Sequence, residues 1–439
     1  MTRLFFGGLC LCFLGEQVAA QVKPDTVVIG SLQEAISLAI KHNPTQAVYQ
    51  QQIRQAHFNY KAAQGAFYPN ASAAFGATDN LYLAVTPVPG VLVGAPGTTD
   101  YVQFGKHYVY NTGVTLAENV FNWQAVMATK IARDNVMVTE SQQASYIQSL
   151  KEQVARTYFS ALIAKGSLKI IGSDEQAGDS LVSLARQRLQ EGASDALSVN
   201  EAVINANNVL ENKAQSQQLY DQGSENLKTL LGVNALSELV FREDIQTDSM
   251  TNAADLPLGT DKYLDFYRNQ VSLAELQRQS QKSVAYPSLS ASAFLGLNQF
   301  QDNFELSFDN SAWTKSRYVS LNLSIPLFTG LANTNNYKSS VERKIIAQLR
   351  YDSAVNQSAV NDRLLVKNHN DYGNMVRASA ENFDLYAANL QLSKQKYQEG
   401  IITLDTYLKA FQDYLTAEDT WLNNLSQLLS VRATILSRQ

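Results

Sequence analysis

Residues 60–123 and 278–330 repeat one unusual order of elements: a helix ending in a tyrosine-proline step, two alternating strands around a polar loop, and a new helix. The first copy reads Ala66-Phe67-Tyr68-Pro69-Asn70-Ala71-Ser72-Ala73 and later Val120-Phe121-Asn122-Trp123. The second reads Ala285-Tyr286-Pro287-Ser288-Leu289-Ser290-Ala291 and later Leu327-Phe328-Thr329-Gly330. A repeat of roughly 210 residues is too long for a solenoid unit and predicts two homologous halves of one architecture.

The chain opens with Arg3, an apolar stretch from Leu4 to Leu14 and then Val18-Ala19-Ala20, the pattern of a secretory signal peptide over residues 1–20. Cys10 and Cys12 both fall inside it, so the exported chain is expected to hold no disulfide and no thiolate ligand. Neither cysteine is placed for a lipid anchor. Net charge is −5 with both signs mixed, which offers no basic patch for nucleic acid. After the signal, no run of about 18 apolar residues is present to span a membrane as a helix. The uncharged stretch from Asn80 to Thr99 contains Pro87, Pro89, Pro96, Gly90, Gly94 and Gly97 and is expected to be a loop.

The strands carry a different kind of membrane signal. Ser288, Ser290 and Ser292 alternate with Leu289, Ala291, Ala293, Leu295 and Leu297, and Val319, Leu321, Leu323 and Ile325 alternate with Ser320, Asn322 and Ser324. Period-2 alternation puts each row on its own face. The first half is a weaker copy, with Ala71, Ala73, Phe75 and Ala77 on one row and Tyr108, Tyr110, Thr112, Val114 and Leu116 on a row of the return strand. Phe67, Tyr68, Phe104, Tyr108, Phe121, Trp123, Tyr286, Trp313, Tyr318 and Phe328 cluster near strand ends, as in the aromatic girdle of a membrane barrel.

The rest is helix of unusual length. From Asn122 to about Gln190 and from Leu331 to about Gln398 there is no proline and little glycine, and at about 1.5 Å per residue such a helix extends roughly 100 Å. Leu365, His369, Tyr372, Val376, Ser379, Phe383, Tyr386, Leu390, Ser393 and Tyr397 follow an alternating four-three spacing, the seam of a coiled coil in which His369 and the serines are packing residues. Each long helix ends at a matching turn, Gln190-Glu191-Gly192-Ala193-Ser194 and Gln398-Glu399-Gly400-Ile401-Ile402, before a shorter antiparallel helix. Each half offers two strands, and a membrane barrel needs a closed sheet of at least about eight. Several copies must therefore share one barrel, because unpaired strand edges find no water in lipid.

Together, Leu32-Gln33-Glu34-Ala35-Ile36-Ser37-Leu38-Ala39-Ile40-Lys41-His42-Asn43-Pro44, the two Tyr-Pro steps, Leu327-Phe328-Thr329-Gly330 and Tyr397-Gln398-Glu399-Gly400 resemble the TolC family of outer-membrane efflux proteins over nearly the whole exported chain. The resemblance implies a mainly α fold with a membrane β-barrel. Two repeats of long coiled-coil helices plus a β-hairpin would form, as a homotrimer, a 12-stranded barrel and a periplasmic α-helical tunnel. The expected organisation is a signal at 1–20, a first repeat at 21–232 with strands about 68–83 and 105–120, a segment at 233–259, and a second repeat at 260–439 with strands about 286–300 and 316–328. Pro69 and Pro287 mark the helix-to-strand junctions. Implied partners are outer-membrane lipid, a periplasmic adaptor (membrane fusion protein) and an inner-membrane RND- or ABC-type transporter, with no cofactor. The implied activity is passive conduction from that assembly to the outside, in a tripartite efflux or type I secretion system.

Two departures from the family pattern stand out. Between Asn269 and Pro287 the chain is shorter than between Asn43 and Pro69 by about two helical turns, so the helix entering the second strand pair is expected to be shorter or bent. An acidic pair that lines the family's closed tunnel tip corresponds here to Thr406 and Lys409, with Asp405 one residue earlier. Constriction candidates are Asp195 and Glu201 in the first hairpin and Asp405 and Lys409 in the second, with Tyr397 matching a tyrosine of the family's gate network. A symmetric ring of carboxylates would select solutes by charge. Asp195 could equally cap a helix start, and Lys409 could pair with Asp405. Gly192 and Gly400 mark the turns expected to meet the adaptor. His42, His57, His107 and His369 show no metal-ligand spacing, and no nucleophile elbow or phosphate-cradling loop is present, so no enzyme is expected. The alternative architecture is a secreted trimeric coiled-coil stalk or adhesin.

Overall fold

The computed structural model describes residues 26–245 and 257–439. The expected signal peptide, with Cys10 and Cys12, and residues 246–256 of the expected inter-repeat segment lie outside the described residues. In chain order the strands are β1 Thr26–Ile29, β2 Asn70–Asp79, β3 Val85–Pro89, β4 Thr99–Gln103, β5 Tyr108–Phe121, β6 Glu238–Phe241, β7 Ser288–Gln301 and β8 Thr314–Ser324. The helices are α1 Leu32–His42, α2 Pro44–Gln64, α3 Trp123–Gln190, α4 Ala196–Leu231, α5 Lys262–Ser283, α6 Ala332–Gln398 and α7 Leu404–Ser437. They form two compact units, one from Pro44–Ser149, Pro257–Lys367 and Ser437–Gln439, the other from the described parts of Met1–Asn43, Leu150–Leu256 and Asn368–Leu436. The 68-residue α3 and the 67-residue α6 each contribute to both.

The first unit holds an antiparallel sheet of order β2-β5-β7-β8. Both its entry points are set by proline. Tyr68 is extended (φ −105°, ψ 148°), the conformation a following proline imposes, so α2 and its short 3₁₀ turn give way to β2 directly after Pro69. Pro287 stands in the same place before β7. The register aligns every apolar row. Ala73 faces Val114, Val114 faces Leu295, and Ala293 faces Val319, while Leu321 and Leu323 lie opposite Ala291 and Leu289. The other face carries Ser72 opposite Thr115, Thr115 opposite Phe294 and Ser292 opposite Ser320, whose hydroxyls are 2.7 Å apart. Four strands therefore share one apolar and one polar face. The apolar face is uncovered within the protomer, with Val319 79% and Leu321 71% exposed.

On the polar face Phe294 stacks on Tyr318 at 5.3 Å, so Tyr318 does not join the aromatic girdle expected around the apolar face. The Phe294 ring lies over Gly113 and Gly296, which are register partners. A Cβ on either would stand 2.5 Å or less from the ring. Asn80–Thr99 is not a plain loop. It contains β3, which pairs with β4 around a 3₁₀ turn at Gly90–Val93. Pro87 and Pro89 are accommodated because β3 pairs on one side only and leaves an edge where no donor is needed.

The helix entering β7 is not shortened. α5 has 22 residues against 21 for α2, and it passes through Asn269 without a break because Gln270 stands where the first half has Pro44. α5 starts earlier, at Asp261, whose carboxylate caps Tyr263 N and also meets Gln148, Ser358 and Arg438. That one side chain gathers four segments of the unit.

In the second unit, β1 and β6 pair in parallel, so the described start of the expected linker is a strand. It is fixed to α3 where the Tyr158 hydroxyl donates to Glu243 (2.6 Å) and the Lys165 ammonium donates to the Phe241 carbonyl (3.0 Å). Leu150, Val154 and Leu162 of α3, Leu227 and Leu231 of α4, and Leu425, Leu428 and Leu429 of α7 are fully buried or nearly so. The α6 seam buries His369, Val376, Ser379 and Tyr397. Ser379 satisfies its hydroxyl on the Val376 carbonyl. Tyr386 departs from the expected seam and is 39% exposed, with Ala387 packed inward instead. A straight helix turns every 3.6 residues and drifts off a strict 3.5 repeat by about 20° per heptad, which is enough to exchange neighbours. Leu428→Ala, which empties a fully buried site, is expected to destabilise this unit by about 2–5 kcal/mol, whereas exposed Gln427→Ala stays within about 0.5 kcal/mol; denaturant melts followed by circular dichroism separate them.

Candidate functional site

Two helical hairpins end in the same backbone device. Gly192 (φ 70°) lets its own N–H reach the Leu189 carbonyl and the Ala193 N–H reach the Arg188 carbonyl. Gly400 (φ 74°) does the same with Tyr397 and, through Ile401, with Lys396. No atom crowds either position, so the glycines are required by the left-handed backbone and not by lack of space.

The structure brings five of the expected residues to one place. Asp195 caps α4, its Oδ1 accepting the Ser198 N–H at 2.9 Å, and this bond holds its carboxyl below the usual range. The Ser198 hydroxyl is 2.7 Å from Asp405 Oδ1 and 3.0 Å from Asp195 Oδ1. One hydroxyl has one proton; the shorter contact is the donor bond, and Asp195 is already satisfied by backbone. Ser198 thus joins a carboxylate of each hairpin, and both carboxylates remain exposed. Tyr397 is buried, stacked on Tyr407 at 5.7 Å, with the Arg188 guanidinium 5.7 Å from its ring. Burial pushes the Tyr407 hydroxyl up. Gly192, Gly400, Asp195, Asp405 and Tyr397 border one open recess of about 500 Å³. Glu201 and Lys409 are exposed and stand apart from it, and among the described residues no ion pair joins Lys409 to Asp405.

Further along the same helices lies a group that sequence reasoning missed. Asp174 of α3 and Glu418 of α7 are 3% and 4% exposed. The Tyr414 hydroxyl donates to Asp174 Oδ1 at 3.0 Å, and the Glu418 carboxyl is the ionisable neighbour of Asp174. Asp174 Oδ2 is buried without a hydrogen-bond partner, so ionising Glu418 beside it would put a second charge in the same buried spot. Burial first, and the Asp174 charge second, push Glu418 far above the usual carboxylate range. The pair borders a polar cavity of about 300 Å³ shared with Ser167, Asn212, Asp419 and Asn423. The signal was legible in part: Glu418 interrupts the apolar seam Leu404, Phe411, Tyr414, Trp421, Leu425 of α7. Because the neutral acid is the form the folded state prefers, its contribution is complete at acid pH and is lost as pH rises past the unfolded carboxylate value. Glu418→Gln supplies a permanent N–H donor of the same shape. It should raise the melting temperature at pH 8 and above, and the gain should vanish below about pH 4, as read by thermal melts of the detergent-solubilised protein across pH.

Among the described residues no helix is long and apolar enough to cross a membrane. A sequence profile of the outer membrane efflux protein family matches residues 35–233 and 264–437. The chain is 23% identical over 310 residues to the solvent efflux pump outer membrane protein SrpC of Pseudomonas putida, covering 67% of this chain and 62% of SrpC. It thus spans under two thirds of that relative's length. Among solved structures, CusC, described in terms of transmembrane channel formation, superposes with a TM-score of 0.76 at 16% identity over 94% of this chain and 93% of CusC. The Campylobacter jejuni CmeC outer membrane channel gives 0.73 at 15% identity over 100% and 93%. The fold is therefore mainly helical and TolC-like, that of channel proteins, and its cellular place is the outer membrane. The profile covers most of the chain, which belongs to the outer membrane efflux protein family.

Proposed function

We propose that this chain is the outer-membrane channel-tunnel of a tripartite efflux or type I secretion system, passively conducting solutes delivered by a periplasmic adaptor and an inner-membrane RND- or ABC-type transporter. The observation that carries the reading is the sheet register, which puts the apolar rows of all four strands on one uncovered face and the serine, threonine and asparagine rows on the other. Such a surface fits lipid outside and water inside. The edge strands β2 and β8 are unpaired and antiparallel in sense, so copies joined edge to edge keep the alternation. At four strands per chain, three copies make the twelve-stranded barrel of the TolC-like fold, and the proposed assembly is a homotrimer formed by the two repeats at 21–232 and 260–439. The activity of SrpC as a solvent efflux component favours efflux over secretion.

In this reading the constriction forms at the hairpin tips. Asp195 and Asp405, linked through Ser198, are its carboxylates, and buried Tyr397, stacked on Tyr407, borders the same recess. Glu201 and Lys409 are exposed positions of the same tips, open to the tunnel or to the adaptor. Gly192 and Gly400 offer the adaptor two tight turns of low profile.

Planar-bilayer conductance of the detergent-purified mature protein tests the channel. The expected result is a small, cation-selective conductance that enlarges or loses selectivity in Asp195→Ala and Asp405→Ala; a water-soluble protein without channel activity defeats it. The face assignment has its own test. Leu321→Arg should cost about 2–4 kcal/mol of stability in lipid, and Ser320→Arg, one residue away on the polar face, far less, as measured by urea titration in vesicles.

A further inference from the structure

The apolar face of the sheet carries two cations at one end. Lys315 faces Leu297 and Arg317 faces Leu295, in the same row as Val319, Leu321 and Leu323. Both are exposed, and neither takes part in an ion pair among the described residues. Lys106, at the same end of the sheet, is by contrast neutralised by Asp302. An arginine on a lipid-facing row costs about 2–4 kcal/mol at mid-depth but only about 0–1 near the headgroups, so this pair belongs at the headgroup level. The apolar row below it agrees: from Arg317 to Leu323 the strand runs roughly 20 Å, and a tilt of about 40° leaves roughly 15 Å of depth. The end in question is the one joined by the loop between β7 and β8, away from the strand ends that continue into helices.

We propose that Lys315 and Arg317 form a binding site for the phosphate groups of outer-leaflet lipid; the proposal rests on the barrel reading given above. The two side chains stand two residues apart on one strand, roughly 7 Å, presenting a flat guanidinium fork beside a point charge. Phosphate accepts bidentate, charge-assisted bonds from such a fork. A protein counterion falls short. Of the carboxylates at this end, Asp302 is paired with Lys106, Asp309 accepts the Ser311 N–H, Glu305 makes no ion pair with either cation among the described residues, and Asp79 of β2 is three strands away within the protomer.

The test uses detergent-purified full-length protein and three probes: a bisphosphorylated, multiply acylated disaccharide lipid, its dephosphorylated form, and inorganic phosphate. Binding is read by native mass spectrometry and by retention of labelled lipid. The phosphorylated lipid is expected to bind at least about tenfold more tightly than the dephosphorylated one, and the double variant Lys315→Gln/Arg317→Gln should abolish the difference. The charge-conserving pair Lys315→Arg/Arg317→Lys should keep it, which guards against loss by misfolding. Equal binding of both lipids, or an unchanged preference in the glutamine variant, overturns the site. Displacement by inorganic phosphate at concentrations matching the lipid overturns its assignment to lipid. If Asp79→Asn and the glutamine variant lose subunit association alike while lipid preference persists, the cations serve pairing between copies and the proposal fails. Oligomeric state in detergent, measured on the same samples, separates that result from failure of the barrel itself: a monomer that needs no detergent defeats the barrel, whereas a detergent-bound oligomer without phosphate preference defeats only the site.

Discussion

A backbone amide or carbonyl left unpaired in hydrocarbon costs several kcal/mol, and in the barrel proposed here the four-stranded sheet would bring two such rows, on the outer edges of β2 and β8. In that setting the order and register of the four strands are what avoid the cost. Further copies could satisfy those edges, and because β2 and β8 run in opposite senses the antiparallel ladder could continue from copy to copy. Such a barrel also demands that no strand slip by one residue, because a slip would turn a whole apolar row to the wrong face. The bulge between Asn119 and Phe121 is placed next to the start of α3, where the ladder can absorb an extra residue without disturbing the rows beyond it.

The helical unit solves a different problem. Long helices can bury apolar seams against one another, but their ends expose four carbonyls or amides each. The two glycine turns close the C-termini of α3 and α6, and Asp195 closes the start of α4. A side chain spent on a cap is thereby also brought to the hairpin tip, which is how a structural carboxylate and a functional candidate come to be one residue. Asp174 and Glu418 run against the rule that a seam should be apolar. Burial of the pair is tolerated because a neutral Glu418 leaves a single charge, which accepts from the Tyr414 hydroxyl.

The readable parts of this chain were those whose cause is local. Gly192 and Gly400 announce a left-handed turn by identity alone, Pro69 and Pro287 stop helices by sterics, and serine alternating with leucine declares a two-faced strand. β3 was hidden because proline argues against a strand, and only pairing with β4 shows that its ring sits at an edge. The continuity of α5 is not legible from the spacing, because Asn269 occupies the place of Asn43 while the break in the first half comes from Pro44, where the second half has Gln270. At the candidate site, Asp195, Asp405 and Tyr397 can be chosen singly, but Ser198 as the link between the two carboxylates cannot, since it bonds Asp405 from 207 residues away. The same holds for Asp174 and Tyr414, 240 residues apart: Glu418 stands out in its own helix, and its partner does not.

The glycine pair under Phe294 has a consequence for bore. Gly113 and Gly296 face each other across β5 and β7, and together they make a notch in the polar face into which the ring lies almost flush. Two missing methyl groups therefore determine how far an aromatic ring stands off the wall. Restoring either one would lift Phe294, and Tyr318 stacked on it, toward the axis of any closed barrel, narrowing it by the same amount in every copy at one level. In the barrel proposed here the free cross-section at that height is thus set by an absence of side chain, and a single added carbon in each copy would act as a diaphragm.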